Sequence, residues 1–132
     1  MIRLFLLFNH HLTPAQEADA IENLGIETFV SPPDDITQIW GQIPPDMTGL
    51  SDYLKPVEAW LADQAAAGDY VLIQGDFGAC YWMVQAAFAL NLISIYATTR
   101  REAIENHLLD GSIELTHQFR HVIYRGYENY SS

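Results

Sequence analysis

Residues 70–79, Tyr70-Val71-Leu72-Ile73-Gln74-Gly75-Asp76-Phe77-Gly78-Ala79, constrain this chain more than any other stretch. A short apolar run ends in Gln-Gly-Asp, and a long apolar helix pattern starts at once. The pattern predicts a buried strand, a tight turn, and a helix with Asp76 as N-cap. In an α/β sheet, ligands bind at the carboxyl ends of strands, where helix N-termini offer free N–H groups to anions. The two glycines around the turn let a ligand approach the backbone closely. The turn therefore marks a place for a small anionic ligand, and names no reaction.

Similar units surround it. Ile2–Phe8 is expected as a first strand. Thr13-Pro14-Ala15-Gln16 then has an N-cap Thr, a Pro at the first helical position and a Gln three residues on, a capping-box pattern. Ala18, Ile21 and Leu24 are its expected buried stripe and Gly25 its stop. Ile26–Val30 is expected as a strand, and Ile36–Ile43 as a short helical or irregular piece. Leu50, Leu54, Val57, Leu61 and Ala65 recur at steps of three and four, so 50–67 is expected to be helical, with a new first turn or a kink near Pro56. Leu92–Ala97 is a fourth strand, ending in Thr98-Thr99-Arg100-Arg101. Asp110-Gly111 is a hairpin turn between Ala103–Leu109 and Ser112–His117, and His121–Arg125 a final strand before a polar tail. The expected fold is a single α/β domain over residues 1–132. It has a Rossmann-like, mostly parallel sheet flanked by helices, with a C-terminal antiparallel β addition. There is no internal repeat, low-complexity tract or linker.

Composition narrows the function. The formal charge of −11 argues against a duplex nucleic-acid track, which needs a basic face. Before Arg100 there are two basic and twelve acidic residues, and from Arg100 onward four basic and five acidic ones. Positive charge is thus concentrated in the last quarter, for ordinary solvation or for anion binding. No apolar stretch reaches the roughly 18–20 residues of a membrane span. Leu4–Phe8 is too short for a signal sequence, so a cytoplasmic location is expected. Lone Cys80 allows no disulfide framework and suits a small buried hydrophobe. The helix Ala79–Leu90 is apolar nearly all round, and a sheet needs only one apolar stripe from it. Its second face calls for a partner, either another helix of this chain or a second subunit in a twofold homodimer.

Three post-strand segments are expected to gather at one sheet edge: Asn9-His10-His11, Gln74-Gly75-Asp76-Phe77-Gly78, and Thr98-Thr99-Arg100-Arg101. Together they offer amides, hydroxyls, helix-start N–H groups, an aromatic ring and guanidinium groups, a set suited to a phosphodiester with an adenine-like base. His10 or His11 could act as general acid or base, or be a plain loop residue. Arg100 and Arg101 could neutralise phosphate or simply solvate a strand end. Asp76 is first a structural cap and only second a catalytic carboxylate, and Gln74 could meet a base or satisfy loop backbone. Trp40, Trp60 and Trp82 suit a core or an interface. His107, His117 and His121 have no spacing that assembles a metal site, and no cofactor is implied. The segment at Gly75 matches neither a P-loop nor a Gly-x-Gly-x-x-Gly fingerprint, and no Gly-x-Ser-x-Gly elbow occurs.

Leu7-Phe8-Asn9-His10 with Leu12-Thr13, the run Asp69–Ala79, Ile95-Tyr96-Ala97-Thr98-Thr99-Arg100-Arg101-Glu102, and the closing His121-Val122-Ile123-Tyr124-Arg125 resemble the small Csx-type CRISPR-associated proteins. These are similar to stand-alone relatives of the CARF sensor domains of type III CRISPR systems. The resemblance implies a CARF-like homodimer that binds a cyclic oligoadenylate messenger, above all cyclic tetra-adenylate, across its twofold axis. It implies a ring nuclease that cuts the messenger without a metal and leaves 2′,3′-cyclic phosphate ends. Some such relatives only bind the ring.

Overall fold

The computed structural model describes residues 1–130; Ser131 and Ser132, the end of the expected polar tail, lie outside the described residues. The elements run β1 (Arg3–Leu7), α1 (Pro14–Leu24), β2 (Thr28–Val30), α2 (Asp34–Gly41), α3 (Lys55–Gln64), β3 (Tyr70–Ile73), α4 (Phe77–Ala89), β4 (Ile93–His107) and β5 (Ile113–Gly126). They build one curled five-stranded sheet in the order β2-β1-β3-β4-β5. The first four strands are parallel and β5 is antiparallel to β4.

Strand residues alternate between two faces, and both faces are covered, so β3 and, after Arg3, β1 are apolar. Phe5, Leu7, Val71 and Ile73 pack beneath α2, α3 and α4, against Ile36, Trp40, Leu61 and Met83 among others. Leu4, Leu72 and Ile95 pack on the other face against Ala20 of α1 and Ile26. Helix α3 begins at Lys55 with Pro56 in its first turn, where the missing N–H does no harm. The residues before it form turns, so the helix expected over 50–67 is shorter at both ends.

The capping box of α1 is formed: the Gln16 N–H donates to Thr13 Oγ1 at 3.2 Å and the Thr13 N–H to Gln16 Oε1 at 2.9 Å. Its inward stripe differs from the expected one. Gln16, Ala20 and Leu24 turn inward, while Ala18 and Ile21 are exposed. The reason lies at the far end of the chain. The sheet curls until β5 meets α1, where the Tyr124 hydroxyl donates to the Gln16 carbonyl (3.0 Å) and His121 Nε2 bonds Asp19 Oδ2 (2.6 Å).

The larger departure is β4. Thr98–Arg101 were expected beyond a strand end, yet β4 runs on to His107 and pairs with β5 through to His107–Ile113. The two strands expected in 112–125 are likewise the one strand β5. Pairing of β3 with β4 stops at Leu72–Ile95, so the outer part of β4 and β5 projects as a two-stranded ribbon. From Thr99 to His107 it extends about 30 Å at strand rise. Between Ala97 and Thr99 a bulge interrupts the register. There the Thr98 hydroxyl donates to the Ile123 carbonyl and accepts from the Ile123 N–H, both at 3.1 Å. Asp110-Gly111 closes the ribbon as expected, with Gly111 at φ +87° and Asp110 Oδ1 accepting from the Ser112 N–H at 2.9 Å.

Candidate functional site

In the parallel part of the sheet, the chain moves from β1 outward to β2 and then crosses back to β3. The loops after β1 and β3 therefore meet at a topological switch point, the carboxyl-edge position where sheets of this kind bind ligands. These loops carry Asn9-His10-His11 and Gln74-Gly75-Asp76.

Gln74 ties three elements together at that edge. Its N–H donates to the Leu7 carbonyl (3.0 Å), its own carbonyl accepts from Trp40 Nε1 (3.0 Å), and its Oε1 accepts from the Ala97 N–H (2.8 Å). What it can still offer a ligand is its NH2 group. Gly75 also lets Trp40 approach closely. A Cβ there would stand 3.1 Å from Trp40 Nε1. Asp76 is the expected cap, its Oδ2 accepting from the Ala79 N–H at 3.0 Å. The first two helical N–H groups, of Phe77 and Gly78, have no intrahelical acceptor, and the Phe77 ring is 94% exposed beside them.

Gln74, Gly75 and Phe77 enter the wall of a cavity of about 670 Å³, between the outward face of α4 and the segment after β5. That volume lies within the range of small-molecule sites. Tyr81 and Phe88 of α4 and Tyr96 and Tyr127 supply aromatic surface to it. The Tyr96 and Tyr127 ring centroids lie 4.8 Å apart. Tyr127 is locked by donating to the Ile73 carbonyl at 2.7 Å. Arg125 stacks 5.5 Å from the Tyr96 centroid and donates to the Tyr96 hydroxyl at 2.9 Å, which places a guanidinium beside the cavity. Sequence reasoning missed Tyr81, Tyr96, Tyr127 and Arg125, because the chain end that closes the cavity has no local signature.

Two ionisable groups in the wall are held protonated. Burial, with a smaller push from the Asp76 charge, raises the Cys80 thiol to about 11, against a backbone bond from Gly75 that lowers it. Burial, then the charges of Cys80 and Tyr96, raise the Tyr127 hydroxyl to about 12. Neither supplies a nucleophile near neutral pH.

The remaining expected residues are more dispersed. His10 and His11 are exposed, with His10 edge-on to Phe8 at 5.4 Å. Asn9 Oδ1 sits 3.5 Å from where a Cβ on Gly41 would stand, toward the end of α2. Thr98 is occupied by the bulge, and Thr99 pairs with His121. Arg100 stands opposite Arg120, and Arg101 opposite Phe119. Arg100 is three residues past Ala97, about 10 Å beyond the sheet edge at strand rise. Arg120 Nε pairs with Glu102 Oε2 at 2.6 Å, which offsets the repulsion of two facing guanidinium groups. No recorded contact joins His10 to Arg100 or Arg101.

The His121 ring and the Asp19 carboxylate are 6% and 14% exposed, and His121 fastens β5 to α1. Burial pushes the Asp19 carboxyl up. Bonds from Asn23 and His121 and the charge of His121 outweigh that, holding it below the usual carboxylate range. Among the described residues, no group of three His, Cys, Asp or Glu is placed to hold a metal ion, and no helix is long and apolar enough to cross a membrane.

The fold and edge define an α/β protein with a small-molecule-sized cavity at the carboxyl edge of a curled, mostly parallel sheet. The chain belongs to the uncharacterized protein MJ1673 family, whose pattern it matches over residues 2–125. It is 45% identical over 130 residues to the uncharacterized protein MJ1673 of Methanocaldococcus jannaschii, an alignment covering 98% of this chain and all of that one. No solved structure matches it.

Proposed function

We propose that the protein is a cytoplasmic, CARF-like homodimer that binds a cyclic oligoadenylate, with cyclic tetra-adenylate the first ring to test, and cuts it. Cutting would switch off type III CRISPR signalling. The observation that supports the reading is the aromatic-walled cavity of about 670 Å³ that runs along the outward face of α4 from its start at Phe77 to Phe88. It can take a planar base, and it lies at the sheet edge that carries Asn9-His10-His11, with Arg125 beside it and Arg100 and Arg101 beyond it. Base–aromatic stacking contributes about 1–3 kcal/mol per base, so tyrosines suit an adenine-rich ligand.

The chemistry is an in-line transesterification. A ribose 2′-oxygen attacks the adjacent phosphorus, the bond from phosphorus to the 5′-oxygen breaks, and the 2′-hydroxyl proton ends on that leaving oxygen. The products are a 2′,3′-cyclic phosphate and a free 5′-hydroxyl. Orientation supplies much of the acceleration. Arg100 and the Phe77 and Gly78 N–H groups would stabilise charge on the phosphate oxygens, and His10 would relay the proton.

A second reading is binding without turnover, as a messenger sponge or regulator. The separation of His10, exposed on the loop after β1, from Arg100 out on the ribbon favours it. Incubation of the purified protein with cyclic tetra-adenylate in EDTA, followed by chromatography, separates the two. Linear products with cyclic phosphate ends support the nuclease. A stoichiometrically bound, intact ring supports the sponge, and an unbound, intact ring rejects both.

A further inference from the structure

The outer ribbon poses a folding problem. A lone two-stranded hairpin is marginal in water, and every hydrogen bond and ion pair recorded for residues 100–120 stays within the ribbon. Its sequence nevertheless has the pattern of a covered strand. Along β5, Ile113, Leu115, His117 and Phe119 alternate with Glu114, Thr116, Gln118 and Arg120. Strict alternation marks a strand with one face buried. Ile113, Leu115 and Phe119 are 56%, 62% and 69% exposed, so nothing in the described chain covers that face.

Register names the rest of the face. The pairs are Arg101–Phe119, Ala103–His117, Glu105–Leu115 and His107–Ile113. About the Ala103–His117 pair this surface is close to self-complementary. Arg101 and Glu105 flank Ala103 at equal distance, as Phe119 and Leu115 flank His117. The small Ala103 side chain lets a facing strand come near.

Charge along the ribbon has the same property. Its base, residues 98–102 and 118–125, holds four arginines and Glu102, a net +3. Its outer part, residues 103–117, holds Glu105, Asp110 and Glu114 and no Lys or Arg, a net −3. On the packing face itself the charged pair is Arg101 and Glu105, since Arg100, Glu102, Glu114 and Arg120 alternate to the opposite face. Two ribbons laid face to face in opposite directions set each Arg101 against the other's Glu105. The bodies, each −10 over residues 1–99, are poor docking partners for each other.

We infer that the β4–β5 ribbon is the dimer interface: two copies pack the Ile113–Leu115–Phe119 face antiparallel about a twofold axis near Ala103 and His117, with Arg101 of each chain meeting Glu105 of the other. The interface is isologous, and it stands on the ribbon alone, independent of any ligand.

Sedimentation equilibrium in the micromolar range tests it. The wild-type chain is a dimer, and the Leu115→Glu/Phe119→Glu variant is a monomer with unchanged circular dichroism, since both side chains are exposed. Arg101→Glu and Glu105→Arg each weaken dimerisation about tenfold, because symmetry repeats each contact. The Arg101→Glu/Glu105→Arg double variant recovers to within a few-fold of wild type. A monomeric wild type, a dimer indifferent to Leu115→Glu/Phe119→Glu, or a double variant no better than its parents would each overturn the proposal.

Discussion

The body and the ribbon of this chain are both mostly continuous with one sheet, yet they are stabilised by different means. In the body, Phe5, Leu7, Val71 and Ile73 are buried within a single chain, and a residue such as Leu61 is fully enclosed. In the ribbon, apolar residues alternate just as regularly and remain exposed. If the ribbon is the interface proposed above, the difference teaches that strand pattern reports burial in the assembled protein, not in one chain: the body holds the cavity, and the ribbon is the face offered to a second copy.

Core truncation separates the regions most sharply. Leu61→Ala lowers stability by about 2–5 kcal/mol, whereas Leu115→Ala changes that of the isolated monomer by less than about 0.5 kcal/mol. Urea unfolding checks both, and equal losses would break the distinction. Next comes the turn at Gly75. Gly75→Ala forces a methyl against Trp40, 3.1 Å from Nε1, and costs about 1–3 kcal/mol. Its near-UV dichroism changes even where the fold survives. Asp76→Ala removes the cap of α4 and costs about 1 kcal/mol, read from the same denaturation curves.

Much of the body was legible in the sequence because its signals are local. Thr13-Pro14-Ala15-Gln16 and Asp76 name helix starts, and Leu54, Val57 and Leu61 name a buried stripe. What was not legible is long-range. The inward face of α1 is chosen by Tyr124 and His121, about a hundred residues away, so spacing within α1 could not reveal that Ile21 stays out. Thr98–Arg101 read as a strand end because polar residues interrupt the apolar run, yet cross-strand bonds to β5 carry the strand through them. Gln74 and Gly75 stand at the expected edge, and their service to the fit of Trp40 was not legible because Trp40 is more than thirty residues away in sequence. Cavity residues Tyr81, Tyr96 and Tyr127 come together only in three dimensions.

The smallest expected effect is electrostatic and lies wholly in the body. Burial pushes the Asp69 carboxyl up. The Ala66 N–H at 2.9 Å and the Arg3 guanidinium at 2.8 Å outweigh it, so the carboxyl is held below its usual range. A depressed folded value stabilises above the unfolded value, about 3.9, and that share is lost as pH falls through the folded one. Asp69→Asn therefore flattens the acid limb of the stability profile below about pH 4. An unchanged limb would show that the Arg3–Asp69 bridge contributes no linkage.

The central claim is that the body supplies the ligand cavity and the ribbon joins two chains. Native mass spectrometry of the protein with cyclic tetra-adenylate, in the first minutes on ice, reads both in one spectrum. Dimeric wild-type protein that takes up the ring, and a Leu115→Glu/Phe119→Glu variant that appears as a monomer, are the expected result. A monomeric wild type, or a dimer that takes up no ring, would contradict it.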